Sequence, residues 1–597
     1  MVMITSDNNI FIVIRKSLRL INEQSKWFLV VNAAVVLIQG VLPTITIMIT
    51  QHLINLIQLN QVDFEIIICQ ISLLVAFQLF NSLLLYCSSK YNNNFRLQFS
   101  KHLKERMLAK SMELSISDYE NADTYDTITK AQRQDGSAII SFVLSIFDVV
   151  QQMVSAVIMI SLITKYKWQF VPLIVGLSFL RSMVTYKNDQ KNFIVRNNRA
   201  TLDRKQWYIN YLCTTGKAFK EIKVFGMKEY LLGKYDRNQK TVISQEKEIF
   251  KRSSLCALLF DSLEWIVTGG IYVCITFAGY CRRILLGDVV AYIDYASQIR
   301  DSVNQIFVLI NGLLDDTLYL DWIFQYLELP TSGDEGNYNL EKISSVEFRH
   351  VCFGFSDDAV INNISFKIPE GKCVAVIGEN GSGKSTLIKL LLGLYSNYEG
   401  EILINGIDIR NINKEHLYKR IGVVFQEYMK YETTIRENVA YGNLNSLMDE
   451  EKILDSLSKV KLVNKIPNAD IDAIIGSWFG EYQLSVGEWQ RLAIARSLLK
   501  NADLYIFDEP DASLDVITQK EIMDMFKETL QNKIGIYVSH KIQYAHEIAD
   551  YIMVIEKGTI TEFGTHRELL EHNGRYRQMW DETVPQAMDE ERPQMGA

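Results

Sequence analysis

Gly378-Glu379-Asn380-Gly381-Ser382-Gly383-Lys384-Ser385-Thr386 (GENGSGKST) fits the phosphate-loop pattern G-x-x-x-x-G-K-[ST]. An apolar, β-type run from Lys372 to Ile377 precedes it, and a helical run from Leu387 to Leu394 follows. That order of strand, loop and helix distinguishes the motif from a glycine-rich structural turn. The glycines let the backbone wrap a phosphate, with successive N–H groups and a helix N-terminus aimed at the anion. Lys384 adds positive charge and Ser385 a hydroxyl suited to a magnesium ion. The stretch predicts a nucleoside-triphosphate site within an α/β domain.

At 597 residues the chain is too long for one core, so at least two domains are expected. Its 48% hydrophobic content and mean hydropathy of +0.02 average two unequal parts, because the long apolar runs all precede about residue 330. A net charge of −8, with no long basic tract, argues against nucleic acid as a partner. Cysteines at 69, 87, 213, 256, 274, 281, 352 and 373 have no metal-ligand spacing and read as reduced, buried thiols. Arg15, Lys16, Arg19 and Lys26 precede the first apolar run without a small-residue cleavage site, so a removed signal peptide is not expected.

Apolar runs at about Trp27–Gln51, Phe64–Cys87, Ala138–Thr164, Trp168–Val184, Ser254–Tyr280 and Asp288–Leu314 are each long enough to cross a bilayer at ~20 residues per crossing. Pro43 is placed to kink the first. Lys and Arg are absent from His52–Glu65 and abundant in Lys90–Arg133 and Lys187–Arg252, which puts both long links and both termini in the cytoplasm. Arg282 and Arg283, in a short outer link, run against this and are outnumbered. The long links have helical periodicity. They are expected to extend the spans past the bilayer and to turn within Ile116–Ile128 and Gly216–Tyr230. Asp148, Asp261, Glu264, Asp294, Arg300 and Asp301 fall inside the spans. Such groups are costly in lipid. Either they line an acidic-leaning cavity for a cationic or amphipathic cargo, or they pair with one another, Arg300 with an aspartate for instance.

The polar, turn-rich segment Pro330–Asn337 separates a membrane domain (1–330) from an α/β domain (331–597). Phe355, in VCFGF, stands where a ring could stack on a base, although a lone strand Phe is as readily core. LYIFDEP places Asp508 at the end of an apolar strand, suited to hold magnesium, and Glu509 beside it, suited to polarise an attacking water. Gln426, after IGVVF, and His540, after GIYVS, each follow a strand and could reach a γ-phosphate.

Together these motifs resemble the ATPase domain of ABC transporters, and six spans followed by that domain resemble a half-size ABC exporter of the type IV class. GENGSGKST is similar to Walker A, VFQE to the Q-loop, LSVGEWQR to the ABC signature, LYIFDEP to Walker B, ASLD to the D-loop and VSHK to the switch histidine. The resemblance implies an all-α six-helix membrane domain and the cofactors ATP and Mg2+. It implies that Phe355 stacks on the base, Gln426 is a magnesium and coupling residue, Glu509 is the catalytic base and His540 senses the γ-phosphate. Ser485, Gly487 and Glu488 would meet the ATP of a partner chain, and Asp515 would contact that partner. A second half-transporter is therefore required, a homodimer being favoured over a heterodimer. ATP would close the dimer, and the two link turns would pass the motion to the spans. One departure stands out: the signature, usually LSGGQ, reads Leu484-Ser485-Val486-Gly487-Glu488. Val486 brings a β-branched side chain and a restricted backbone where glycine allows close approach, and Glu488 a negative charge.

ISDYENADTYD, WYINYL followed by KEIKVFG, FQEYMKYETTIRENV and GSWFGEYQLS resemble the peptidase-free lanthipeptide exporters of bacteria. The resemblance implies a thioether-modified peptide cargo, the bacterial cytoplasmic membrane, and removal of any leader by another protein. The alternative is an exporter or flippase of drugs or lipids driven by the same engine.

Overall fold

The computed structural model describes residues 6–59, 63–132, 136–216, 218–331, 336–355, 358–466, 470–477, 479–480, 482–510 and 516–583. The chain divides into two compact units, one of Met1–Met112 with Asp123–Leu329, the other of Glu113–Ala122 with Pro330–Ala597.

The first part of the chain is helical: α1 (Ser6–Gln24), α2 (Lys26–Leu59), α3 (Phe64–Glu113), α4 (Ile116–Glu120), α5 (Ala122–Gln132), α6 (Gly136–Lys167), α7 (Phe170–Asn198), α8 (Ala200–Thr214), α9 (Phe219–Val224), α10 (Lys228–Tyr280) and α11 (Leu286–Leu327). Among the described residues, α2, α3, α6, α10 and residues 170–188 of α7 are long and apolar enough to cross a membrane. α11 is not among them, since its first half carries Asp288, Asp294, Arg300 and Asp301. Its apolar face instead packs into a core with α6, α7 and α10, built on Met159, Ile174, Ile275, Tyr295 and Ile299. Where α11 begins, Asp288 accepts hydrogen bonds from Gln51 (2.8 Å) and Asn55 (2.9 Å) of α2. Asn55 in turn accepts from the backbone N–H of Gly287, where a Cβ would lie 2.3 Å from the Gln51 carbonyl oxygen.

The eight cysteines are free, but only Cys373 is buried, which corrects the expectation of buried thiols. Cys69, Cys87 and Cys274 are exposed on helices long and apolar enough to cross a membrane.

The second unit holds two sheets. The antiparallel one runs β2-β1-β4-β5, from β1 (Ser345–Phe355), β2 (Asp358–Pro369), β4 (Glu399–Ile404) and β5 (Ile407–Asp408). The other runs β10-β9-β3-β8-β7-β6, from β3 (Cys373–Ile377), β6 (Ile421–Val424), β7 (Leu504–Asp508), β8 (Ile534–Val538), β9 (Tyr551–Glu556) and β10 (Thr559–Gly564), parallel except at the β9–β10 edge. β3, β7 and β8 are buried along their whole length, as parallel strands covered on both faces must be. The covering helices are α12 (Lys384–Leu391), α13 (Lys414–Lys419), α14 (Ile435–Ala440), α15 (Glu450–Lys459), α16 (Val486–Leu498), α17 (Val516–Thr529), α18 (Ile542–Ile548), α19 (His566–Glu571) and α20 (Arg575–Thr583). α14, α15 and α16 gather round Trp489, Leu492 and Ile453 as a second core on the β6–β7 side. The ends of β3, β7 and β8 consequently open on the same side of the parallel sheet.

Candidate functional site

The phosphate loop joins the end of β3 to the start of α12. Gly383 caps that helix at φ +103°, a left-handed conformation that favours glycine, and a Cβ there would sit 2.8 Å from Ile361. At Gly378 a Cβ would press within 2.2 Å of the Ile555 carbonyl oxygen. Lys384 folds back along the loop, its Nζ donating to the carbonyls of Gly378 (2.8 Å) and Glu379 (2.9 Å). Burial lowers its pKa, and the charges of Glu509 and Asp508 hold against that shift. The loop therefore keeps its cation among backbone dipoles beside two carboxylates, poised to exchange these partners for a phosphate.

Asp508 ends β7, 4% exposed. Burial raises its pKa to about 6, Glu509's charge adds to the rise, and the Ser385 hydrogen bond and Lys384 oppose it. Its Oδ1 is buried without a hydrogen-bond partner among the described residues. An orphaned carboxylate oxygen beside the Ser385 hydroxyl is a hard-oxygen pair of the kind Mg2+ takes, so these residues fit that ion.

Glu509 sits at the turn that leaves β7, at φ +47°, its N–H donating to the Val538 carbonyl of β8 at 3.0 Å. A left-handed glutamate is uncommon and strained, and the tie to β8 holds it there. Its carboxylate accepts from Gln426 Nε2 at 2.8 Å, and His540 Nδ1 stands 3.5 Å from the other oxygen. The structure thus brings Gln426, Glu509 and His540, from three strand ends, round one carboxylate. Phe355, the last residue of β1, is 46% exposed and makes edge contacts with Phe353 and Tyr395.

Ser485 caps α16, its hydroxyl accepting from Glu488 N–H (3.3 Å) while the Glu488 carboxylate accepts from Ser485 N–H (2.8 Å). Val486 is the first residue of that helix, 53% exposed and outside the left-handed region, so glycine's backbone freedom is not needed there. The backbone at Val486 is thus an ordinary helix start, and its side chain lies at an exposed surface. Two residues that the sequence did not single out link these parts. Tyr428 donates its hydroxyl proton to the Val486 carbonyl (3.0 Å), and Gln490 of α16 donates to the Glu509 carbonyl (3.5 Å). Asp515 lies outside the described residues.

In the helical unit, Arg181 of α7 pairs with Asp261 (2.7 Å) and Glu264 (3.3 Å) of α10, and Asn304 of α11 donates to Glu264 (2.9 Å). Arg300 pairs with Asp301 (2.8 Å) and covers the Trp265 ring at 4.3 Å. Four of the six intramembrane candidates are thus in ion pairs, two of them to Arg181, which sequence reading overlooked at the edge of its run. Asp148 and Asp294 are exposed and make no ion pair among the described residues.

A phosphate loop, an aspartate–glutamate pair at a strand end and a capped signature helix, on a chain that also carries membrane-crossing helices, define a membrane-bound ATPase. The ABC transporter family profile matches residues 361–512. Along 91% of this chain and 89% of the relative, the sequence is 32% identical to Subtilin transport ATP-binding protein SpaT of Bacillus subtilis. It is 28% identical to Nisin transport ATP-binding protein NisT of Lactococcus lactis subsp. lactis, over 94% of this chain and 95% of that one. The fold is that of a solved bacterial Atm1-family ABC exporter with ATP bound, with a TM-score of 0.79 at 20% identity, covering 94% of this chain and 98% of that one. The chain belongs to the ABC transporter family, as a half-size exporter. It is a membrane protein that binds ATP and couples ATP hydrolysis to transport, and half-size members of this family generally work as dimers.

Proposed function

We propose that the chain, as a homodimer with six spans per copy in a bacterial cytoplasmic membrane, uses ATP to export a ribosomally made, thioether-modified peptide. One observation carries the reading. The likeness to the subtilin and nisin transport proteins, both named for lantibiotics, runs through the helical part as well as the ATPase part. The domains of the proposal are 1–330 and 331–597, with link turns near 116–128 and 216–230.

Within the ATPase part, the phosphate loop from Gly378 to Thr386 holds the triphosphate and Phe355 the base. Ser385, Gln426 and Asp508 hold Mg2+, which when bound neutralises charge on the β- and γ-phosphates. Glu509 accepts the proton of the attacking water, Gln426 orients the Glu509 carboxylate through its amide, and His540 contacts the γ-phosphate. Ser485, Gly487 and Glu488 face the ATP of the second copy, and Asp515 contacts that copy. The intramembrane groups Asp148, Asp261, Glu264, Asp294, Arg300 and Asp301 face the cargo path, where a net acidic balance favours a cationic peptide.

The test is the ATPase rate of the purified chain in lipid nanodiscs, with a cationic thioether-modified peptide or with a lipid or drug as stimulant. The expected result is Glu509-dependent turnover stimulated by the peptide; stimulation by lipid or drug alone overturns the peptide reading. Glu509→Gln is expected to lower turnover by at least about a hundredfold while leaving ATP binding intact, on the scale of general-base catalysis. Near-normal turnover in that variant removes Glu509 from the role of base.

A further inference from the structure

Residues 113–122 lie in the sequence between two long helices, yet they fold with the ATPase unit. Ser115 and Asp118 form a capping box that starts α4, and Ile116 packs against the core of the phosphate-binding sheets. At the other end of α4, the Glu120 carboxylate accepts from the Tyr395 hydroxyl at 2.8 Å and 3.0 Å and from Lys389 Nζ at 3.3 Å. Lys389 lies on α12, the helix whose first residues form the phosphate loop, and it also donates to the Tyr395 hydroxyl at 3.2 Å.

Tyr395 is buried, 2% exposed. It stacks on Phe353 (4.8 Å, 25°) and meets Phe355 edge-on (5.7 Å, 82°). One side chain therefore supports the ring proposed to take the base and, through its oxygen, anchors the 113–122 segment. Packing alone does not ask for a tyrosine, because a phenylalanine would fill the ring's place. A buried hydroxyl is retained where it has a partner.

We propose that Tyr395 is a positioning residue that ties the base-stacking ring Phe355 to the 113–122 segment, so that nucleotide at Phe355 tightens the docking of that segment on its own ATPase unit. The inference rests on the assignment of Phe355 to the base and is independent of the nature of the cargo. A base stacked on Phe355 restrains the ring, the ring restrains Tyr395, and the hydroxyl is then held on Glu120. A hydrogen bond to a charged group shifts an equilibrium by roughly tenfold or more, which sets the size of the expected effect.

The experiment uses the full chain in nanodiscs, carrying Glu509→Gln so that ATP stays bound, and follows amide hydrogen exchange of residues 113–122 with and without ATP. ATP is expected to slow exchange there about tenfold, on the scale of one charge-assisted hydrogen bond. Adding Tyr395→Phe, which keeps the ring, is expected to cut that slowing to about threefold or less and, because the coupling is reciprocal, to raise the ATP Kd by a matching factor of about three. Glu120→Ala should do the same, Glu120→Gln should restore the slowing, and the Tyr395→Phe, Glu120→Ala double variant should be no worse than either alone. Full ATP-dependent slowing in Tyr395→Phe, or strictly additive losses in the double variant, overturns the link. Phe355→Ala separates the two levels: an unchanged ATP Kd removes the base-stacking assignment and the link with it, whereas a raised Kd beside an unaltered Tyr395→Phe removes the link alone.

Discussion

Asp508→Asn removes a charge that the fold holds at a cost. Burial first, with Glu509's charge second, raises the Asp508 carboxyl from 3.8 to about 6, against the pull of Ser385 and Lys384. At ~1.36 kcal/mol per pH unit, ionising it in the folded chain costs about 3 kcal/mol. The sign follows from linkage. A carboxyl whose folded pKa lies above its unfolded value adds nothing unfavourable below about pH 4, and the penalty grows between about pH 4 and pH 6 and levels off above that. Asparagine is neutral throughout. Subtracting ~1 kcal/mol for a weakened Ser385 hydrogen bond leaves a gain of about 2 kcal/mol near pH 7.5, several degrees of melting temperature in a unit of this size. The assay is thermal unfolding of the full chain in nanodiscs, in EDTA, from pH 4.5 to 7.5. Asp508→Asn should melt higher than wild type at pH 7.5, and the difference should shrink as pH falls through 6. Adding Mg2+ and ATP should stabilise the wild type more than the variant and narrow or reverse the order. A lower melting temperature for the variant in EDTA at pH 7.5, or a difference that ignores pH, refutes the reasoning.

The signature offers two further tests by ATPase rate. Val486→Gly should raise the rate of the chain alone by a few-fold, because only side-chain bulk is removed from an exposed helix start; no change would mean that Val486 does not limit a working homodimer. Glu488→Ala breaks the capping box and should cost about 1 kcal/mol of helix stability with a lower rate, whereas Glu488→Gln keeps the bond to Ser485 N–H and should stay near wild type. Equal loss in both variants would show that the charge of Glu488 matters rather than its cap.

What could be read beforehand was local. A phosphate loop announces itself because its glycines, lysine and serine are contiguous and flanked by an apolar strand and a helical run. Five of the six apolar runs fall on described helices long and apolar enough to cross a membrane, because lipid demands length and composition within a single segment; the sixth, Asp288–Leu314, falls on α11, which is not among them. Properties that depend on distant partners stayed hidden. Nothing in the spacing of Tyr428 marks it as a donor to Val486, or Arg181 as the partner of Asp261 and Glu264, because those contacts span 58, 80 and 83 positions. The left-handed Glu509 is tied to β8, a strand later in the chain, through its N–H. At Val486 the motif alone suggests a glycine's backbone, whereas the helix start supplies an ordinary one and leaves the side-chain bulk as the difference.

The ATPase unit is assembled from two separated stretches of chain, and this bears on how it can be produced in isolation. A fragment beginning at Pro330 lacks Ile116 from its core and Glu120 from Tyr395 and Lys389. Such a fragment leaves the apolar seat of Ile116 and the hydroxyl end of Tyr395 open to water. A synthetic peptide of residues 113–122, or its fusion to the fragment through a flexible linker, supplies the missing surface.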